Sequence, residues 1–175
     1  MSTKNSNLSN FDSSSVPRGS SLTIGIVVSE WNKKITESLF NGAFTTLTDF
    51  GVKSDNIKRI DVPGSFELVF GSKKMIQSNV DVVIAIGCVI KGETEHFDYI
   101  CKSVSSGIVD LNINFDTPVV FCVLTDNNMQ QSIDRSGGIH GNKGVEAAIT
   151  ALKLCLLYTS PSPRDATLSR MPSSA

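Results

Sequence analysis

Thr94 and His96 stand two residues apart, just beyond an apolar run, Val82 to Ile86, that leads into an expected turn bracketed by Gly87 and Gly92. In parallel α/β folds, ligands bind where strands end and helices begin, because the unpaired backbone N–H groups there attract anions. A hydroxyl beside one of only two histidines in the chain predicts an anionic ligand and a proton transfer, since imidazole changes charge near neutral pH. The plainer alternative for His96 is an exposed residue in the first turn of a helix. The segment Gly87-x4-Gly92-Glu93-Thr94 approaches the nucleotide phosphate loop GxxxxGK[ST], but Glu93 occupies the place of the lysine that meets the terminal phosphates. A nucleotide triphosphatase is therefore a poor reading. Backbone N–H groups around Glu93 and Thr94, with the Thr94 hydroxyl, remain suited to a simple phosphate.

Three further places carry residues of chemical interest. Trp31, the single tryptophan, lies in the loop Glu30-Trp31-Asn32, where its ring either plugs the core or stacks on a planar heterocycle. Phe66 and Glu67 repeat the pattern after Pro63-Gly64-Ser65, pairing an aromatic with a carboxylate that can accept from ring or amine N–H groups, or that merely complements a helix N-terminus. Arg135 and Lys143 flank the glycine-rich turn SGGIHGNKG and read singly as solvated surface charge. Cys88, Cys101, Cys122 and Cys155 form no CxxC pair and have no histidine at metal spacing, which argues against a structural metal site. Cys88 and Cys122 read as small hydrophobes in or beside strands.

These residues need elements to hold them, and the periodicity supplies those elements. Apolar runs predict strands over 22–28, 57–62, 82–86 and 119–124, with Thr125-Asp126-Asn127 as a loop. Helical stripes predict helices over about 33–50, 66–77, 96–114, 128–135 and 145–157, the first carrying Ile35, Leu39, Ala43 and Leu47 and stopping at Gly51. Strands alternating with helices imply βαβ units: an α/β fold, a three-layer αβα sandwich around a four-stranded parallel sheet with flavodoxin-like winding. A length of 175 residues and a hydrophobic fraction of 40% fit one domain, expected over 21–157. Residues 1–20, rich in Ser and Asn, read as a flexible arm. The Ser- and Pro-rich tail 158–175 reads as disordered, either a natural extension or foreign sequence from a cloning or sequencing junction, the last helical stripe breaking off before a normal cap favouring the second. A net charge of −1 excludes nucleic-acid binding by bulk charge. No apolar run is long enough to span a bilayer, and the N-terminus lacks a secretory core, so a cytoplasmic location is expected.

Together the segments VVSEWN, DVPGSFELVF, GCVIKGETEHFDYIC, FCVLTDNN and IDRSGGIHGNKGVEAA closely resemble the lumazine synthase family of riboflavin biosynthesis, over about Leu22 to Leu154. The resemblance implies condensation of 5-amino-6-(D-ribitylamino)uracil with 3,4-dihydroxy-2-butanone 4-phosphate to 6,7-dimethyl-8-ribityllumazine, a transferase reaction with no cofactor and no metal. It implies Trp31, Ser65, Phe66, Glu67, Cys88, Val89 and Ile90 as the ribitylaminouracil pocket, with Phe121 closing it from the adjacent subunit. Glu93, Thr94, Arg135 and Lys143 match the phosphate side, and His96 the proton-transfer residue. Homo-pentamers with shared sites are implied, and the short SGGIHGNKG turn leaves the sixty-subunit shell of some members open. Ile139 departs from the lysine of many bacterial members. A non-catalytic lumazine- or riboflavin-binding protein of the same fold is the alternative; its pocket would tolerate loss of His96 or Arg135, and both are present.

Overall fold

A computed structural model of the chain describes residues 13–159. Four strands form a parallel sheet in the order β2-β1-β3-β4: β1 (Ile24–Ser29), β2 (Ile57–Val62), β3 (Val82–Ile90) and β4 (Val119–Asp126). Between them run α1 (Lys33–Asp49), α2 (Leu68–Ile76) and α3 (His96–Asn114), and α4 (Met129–Arg135), a small hairpin of β5 (Ser136–Gly138) and β6 (Gly141–Asn142), and α5 (Lys143–Thr159) follow. The order 2-1-3-4 is the flavodoxin-like winding read from the periodicity, and it places a topological switch between β1 and β3.

Side chains alternate across the central strands and supply two cores. Ile24, Ile26, Val28, Ile84, Ile86, Cys88, Cys122 and Leu124 face α1 and α5, where Ile35, Leu39, Ala43, Leu47, Ala148 and Leu152 meet them. Val27, Val83, Ala85, Val119 and Val123 face α2 and α3, against Leu68, Met75, Val104 and Ile108. A sheet covered on both faces explains the continuous apolar runs that marked β1 and β3. Each fully buried Leu or Ile contributes roughly 1.5–3 kcal/mol.

The α1 stripe is buried as expected, and the helix stops where Gly51 allows it. Gly51 takes φ +93° and donates to Thr48 O at 2.9 Å, while Val52 N donates to Leu47 O at 3.0 Å. Those two bonds are a Schellman closure, and its left-handed residue favours glycine.

Several expectations need correction. β3 does not end at Ile86 but continues to Ile90, so Gly87 lies inside a strand and not in a phosphate-loop turn. A Cβ on Gly87 would stand 2.8 Å from both Leu68 Cδ1 and Ser65 Oγ; glycine is there to let α2 and its leading loop lie against the sheet. β4 likewise continues through Thr125 and Asp126, paired with Val89 and Ile90. The turn SGGIHGNKG contains the β5–β6 hairpin, and α5 begins at Lys143 and runs to Thr159. The arm expected over 1–20 is docked in its described part: Val16 is buried, Arg18 Nη1 donates to Asp49 O at 3.0 Å, and Gly19 N donates to Phe50 O at 2.9 Å. Residues 1–12 of that arm and residues 160–175 of the tail lie outside the described residues. Among the described residues no helix is long and apolar enough to cross a membrane.

Candidate active site

A cavity of about 690 Å³ opens beyond the carboxyl ends of β1, β2 and β3, within the size range of small-molecule sites. Three strand-end segments and the start of α3 build it: Trp31 and Asn32 after β1, Gly64 to Glu67 after β2, Cys88 to Ile90 at the end of β3, then Gly92, Thr94, His96, Phe97 and Ile100. Trp31 is 71% exposed, so it does not plug the core; its ring stands at the mouth of the cavity. Asn32 takes the left-handed conformation at φ 59° and donates from Nδ2 to Cys88 O at 2.9 Å. That bond ties the β1 loop to the end of β3, and Asn is among the few residues that tolerate such a φ.

His96 is the first residue of α3, and Phe97 and Ile100, one and four positions on, line the same cavity. Thr94 Oγ1 accepts from His96 N at 3.4 Å, holding the loop against the helix start. Ser65 Oγ is buried with no hydrogen-bond partner among the described residues, a position that calls for a ligand or water. Burial pushes the Cys88 thiol up in pKa, with the hydrogen bond to Ser132 opposing, and burial pushes Cys122 up to about 12. Both thiols therefore stay protonated and act as packing groups rather than nucleophiles.

Among the described residues, no lysine or arginine lines the cavity. Cations are found instead along the outer edge of β4, where a second cavity of about 1170 Å³ is lined by Phe121, Asp126, Gln131, Arg135, Lys143 and Glu146, among others. β4 is an edge strand with no neighbour on that side within the described residues. Phe121 is exposed there. Arg135 Nη1 donates to Gln131 O at 3.0 Å, and its Nε lies 3.7 Å from Asp126 Oδ1. Lys143 Nζ is held by both oxygens of Glu146, at 2.7 and 2.8 Å.

The sequence matches the family profile of 6,7-dimethyl-8-ribityllumazine synthase over residues 21–159. A Flavobacterium johnsoniae protein of that name is 61% identical over 158 residues, covering 90% of this chain and 83% of its own. The enzyme of Christiangramia forsetii is 55% identical over 159 residues (90% and 95%), and that of Parabacteroides distasonis 54% over 155 (88% and 97%). The chain belongs to the lumazine synthase family.

Within this lumazine synthase family member, the residues expected at the site separate into two groups. The cavity brings together Trp31, Ser65, Phe66, Glu67, Cys88, Val89, Ile90, Thr94 and His96. Phe121, Arg135 and Lys143 stand at the β4 edge. Glu93 lines neither place; it is exposed in the loop before α3. Phe97 and Ile100 also line the cavity and are not among the expected residues, while Asn32 and Gly92 lie in strand-end segments named from the sequence with no role assigned to them. Ile100 was detectable, because it lies four residues from His96 and three from Phe97 and so neighbours each on the helix surface. Asn32 was visible only as the polar residue before a helix start, and its bond to Cys88 depends on tertiary geometry.

Proposed function

We propose that the chain condenses 5-amino-6-(D-ribitylamino)uracil with 3,4-dihydroxy-2-butanone 4-phosphate to 6,7-dimethyl-8-ribityllumazine, with release of inorganic phosphate and water. The observation that carries this reading is the division of labour between the two cavities. Among the described residues, one holds aromatic, hydroxyl, carboxylate and imidazole groups but no lysine or arginine, and the other holds the arginine that a phosphate dianion needs.

Trp31 and Phe66 offer flat faces to the pyrimidine, and Glu67 accepts from its N–H groups. Ser65 supplies a buried hydroxyl, and Cys88, Val89 and Ile90 form the apolar floor. Thr94 and the loop carrying Glu93 face the four-carbon substrate. The condensation forms a C=N bond as the amine attacks the ketone and one water leaves; phosphate is then eliminated, and the second nitrogen closes the ring on the remaining carbonyl with loss of a second water. His96 moves the protons of these steps. Holding two substrates in register supplies roughly 7–11 kcal/mol of the barrier, and a positioned acid–base group adds about 10²–10⁴-fold.

Phe121, Arg135 and Lys143 complete the site from a neighbouring copy, so the working unit is a homo-oligomer. A pentamer is the reading for this chain, a sixty-subunit shell its larger form, and the cytoplasm its location. Lys143 is already neutralised by Glu146, which leaves Arg135 the principal phosphate ligand.

The test is to mix both substrates with purified protein and follow lumazine absorbance. Turnover is expected; tight binding of lumazine or riboflavin without turnover would establish the non-catalytic alternative, which the names of the relatives quoted do not support. His96→Ala is expected to lower kcat by about 10²-fold or more without abolishing turnover. An unchanged kcat would remove His96 from the proton transfers.

A further inference from the structure

One line of side chains runs through the interior between the two cavities. Cys88 Sγ, in the floor of the first, donates to Ser132 Oγ at 3.4 Å. Ser132 Oγ donates to Asp126 Oδ2 at 2.8 Å. Asp126 Oδ1 then stands 3.7 Å from Arg135 Nε, at the edge of the second. Asp126 is only 6% exposed and Ser132 is fully buried.

Removing a carboxylate from water is costly unless charge and hydrogen bonds compensate. Asp126 receives both from one short helix. Ser132 and Arg135 are three residues apart on α4, so both side chains project toward the end of β4. The first turn of that helix is fixed by Asn128, whose side chain accepts from Gln131 N at 3.0 Å. Gln131 in turn accepts Nη1 of Arg135 on its carbonyl. Two of the three guanidinium nitrogens are therefore directed inward, and because the fork is planar and rigid the third is directed by them. At 3.7 Å the Asp126 contact is electrostatic rather than a formed hydrogen bond, so it orients the guanidinium without saturating it.

Charge and orientation act against each other here. By charge alone, Asp126 weakens the attraction of Arg135 for a phosphate dianion. By orientation, it removes rotamer freedom that a long side chain would otherwise lose on binding. The Arg135 side chain is 26% exposed and that of Asp126 only 7%, so an anion arriving from solvent meets the guanidinium more readily than the carboxylate, whose repulsion acts over the longer distance. We propose that Asp126, anchored by Ser132, is a positioning residue that presents Arg135 to the phosphate of the four-carbon substrate. The proposal rests on the reading of Arg135 as the phosphate ligand.

Substitution separates the two effects by sign. Ser132→Ala keeps the carboxylate and removes its anchor; Asp126→Asn keeps the shape and removes the charge. Both are compared with Arg135→Ala and the double variant Asp126→Asn/Arg135→Ala, as the assembled protein, with the KM of each substrate, kcat, inhibition by inorganic phosphate, and the melting temperature measured. Ser132→Ala is expected to raise the KM for the butanone phosphate about threefold, and Asp126→Asn about tenfold, with kcat and the KM for ribitylaminouracil within about twofold. Inhibition by inorganic phosphate should weaken in parallel, and the double variant should match Arg135→Ala alone. An unchanged or lowered phosphate KM in Asp126→Asn and Ser132→Ala, beside a raised one in Arg135→Ala, overturns the positioning role. A rise in both KM values that merely follows a fall in melting temperature overturns it as well. If Arg135→Ala itself leaves the phosphate KM unchanged, the underlying reading of Arg135 fails instead.

Discussion

Two variants that are each nearly inactive should restore one another when co-expressed. Trp31→Ala/His96→Ala damages only the cavity beyond β1, β2 and β3, whereas Arg135→Ala damages only the β4 edge. Trp31 and His96 are exposed, so the first variant should fold normally. In a ring where every site takes its cavity from one chain and its edge from the next, random mixing leaves about one site in four with both halves intact. With two affinity tags, sequential purification and assay at butanone phosphate well below the KM of Arg135→Ala, the mixed protein should give about a quarter of the parental rate per site, against near zero for each variant alone. If all catalytic groups came from one chain, every site in the mixture would carry one defect, and no activity would return.

Gly144→Ala should cause the largest loss of stability. A Cβ there would stand 1.8 Å from the carbonyl oxygen of Leu39 and 2.7 Å from its carbon. These are backbone atoms in the middle of α1, so no rotamer change relieves the contact. α1 and α5 would have to separate, yet Leu39, Ala43, Leu47, Ala148, Ala151 and Leu152 are all fully buried around that contact. Overpacking a core costs about 1–3 kcal/mol when side chains can shift. Here a loss of about 4 kcal/mol or more is expected, placing the substitution among the exceptional ones and lowering the thermal midpoint by roughly 10 °C. Gly92→Ala is the control, since nothing lies within 4 Å of its added Cβ. A Gly144→Ala protein that melts with the parent would mean that α1 and α5 are not in this contact.

Local chemistry made most of the scaffold legible in the sequence. β2 and α3 begin and end at the expected residues, and Gly51 ends α1 by the expected left-handed turn. At Gly87 a glycine that resembles a chain-breaker serves close packing instead. Gly87 sits mid-strand because Ser65 and Leu68 press on it, and only tertiary contact reveals that. The hairpin after α4 escaped because its paired stretches, Ser136–Gly138 and Gly141–Asn142, are too short for any alternation to register. At the site, residue types suggested an anion and a proton shuttle. They could not reveal that Trp31 is exposed, that Lys143 is tied to Glu146, or that Arg135 and Lys143 line a different cavity from the imidazole, since those facts depend on which elements meet in space.

The exposed tryptophan has a practical consequence. It is the only one in the chain, and it stands at the cavity mouth, away from every buried cluster. All the indole fluorescence of the protein therefore originates at one known place. A heterocycle stacking on that ring quenches the whole signal rather than a fraction of it, so the molecule carries its own optical titrant for ligand capture, with no label attached.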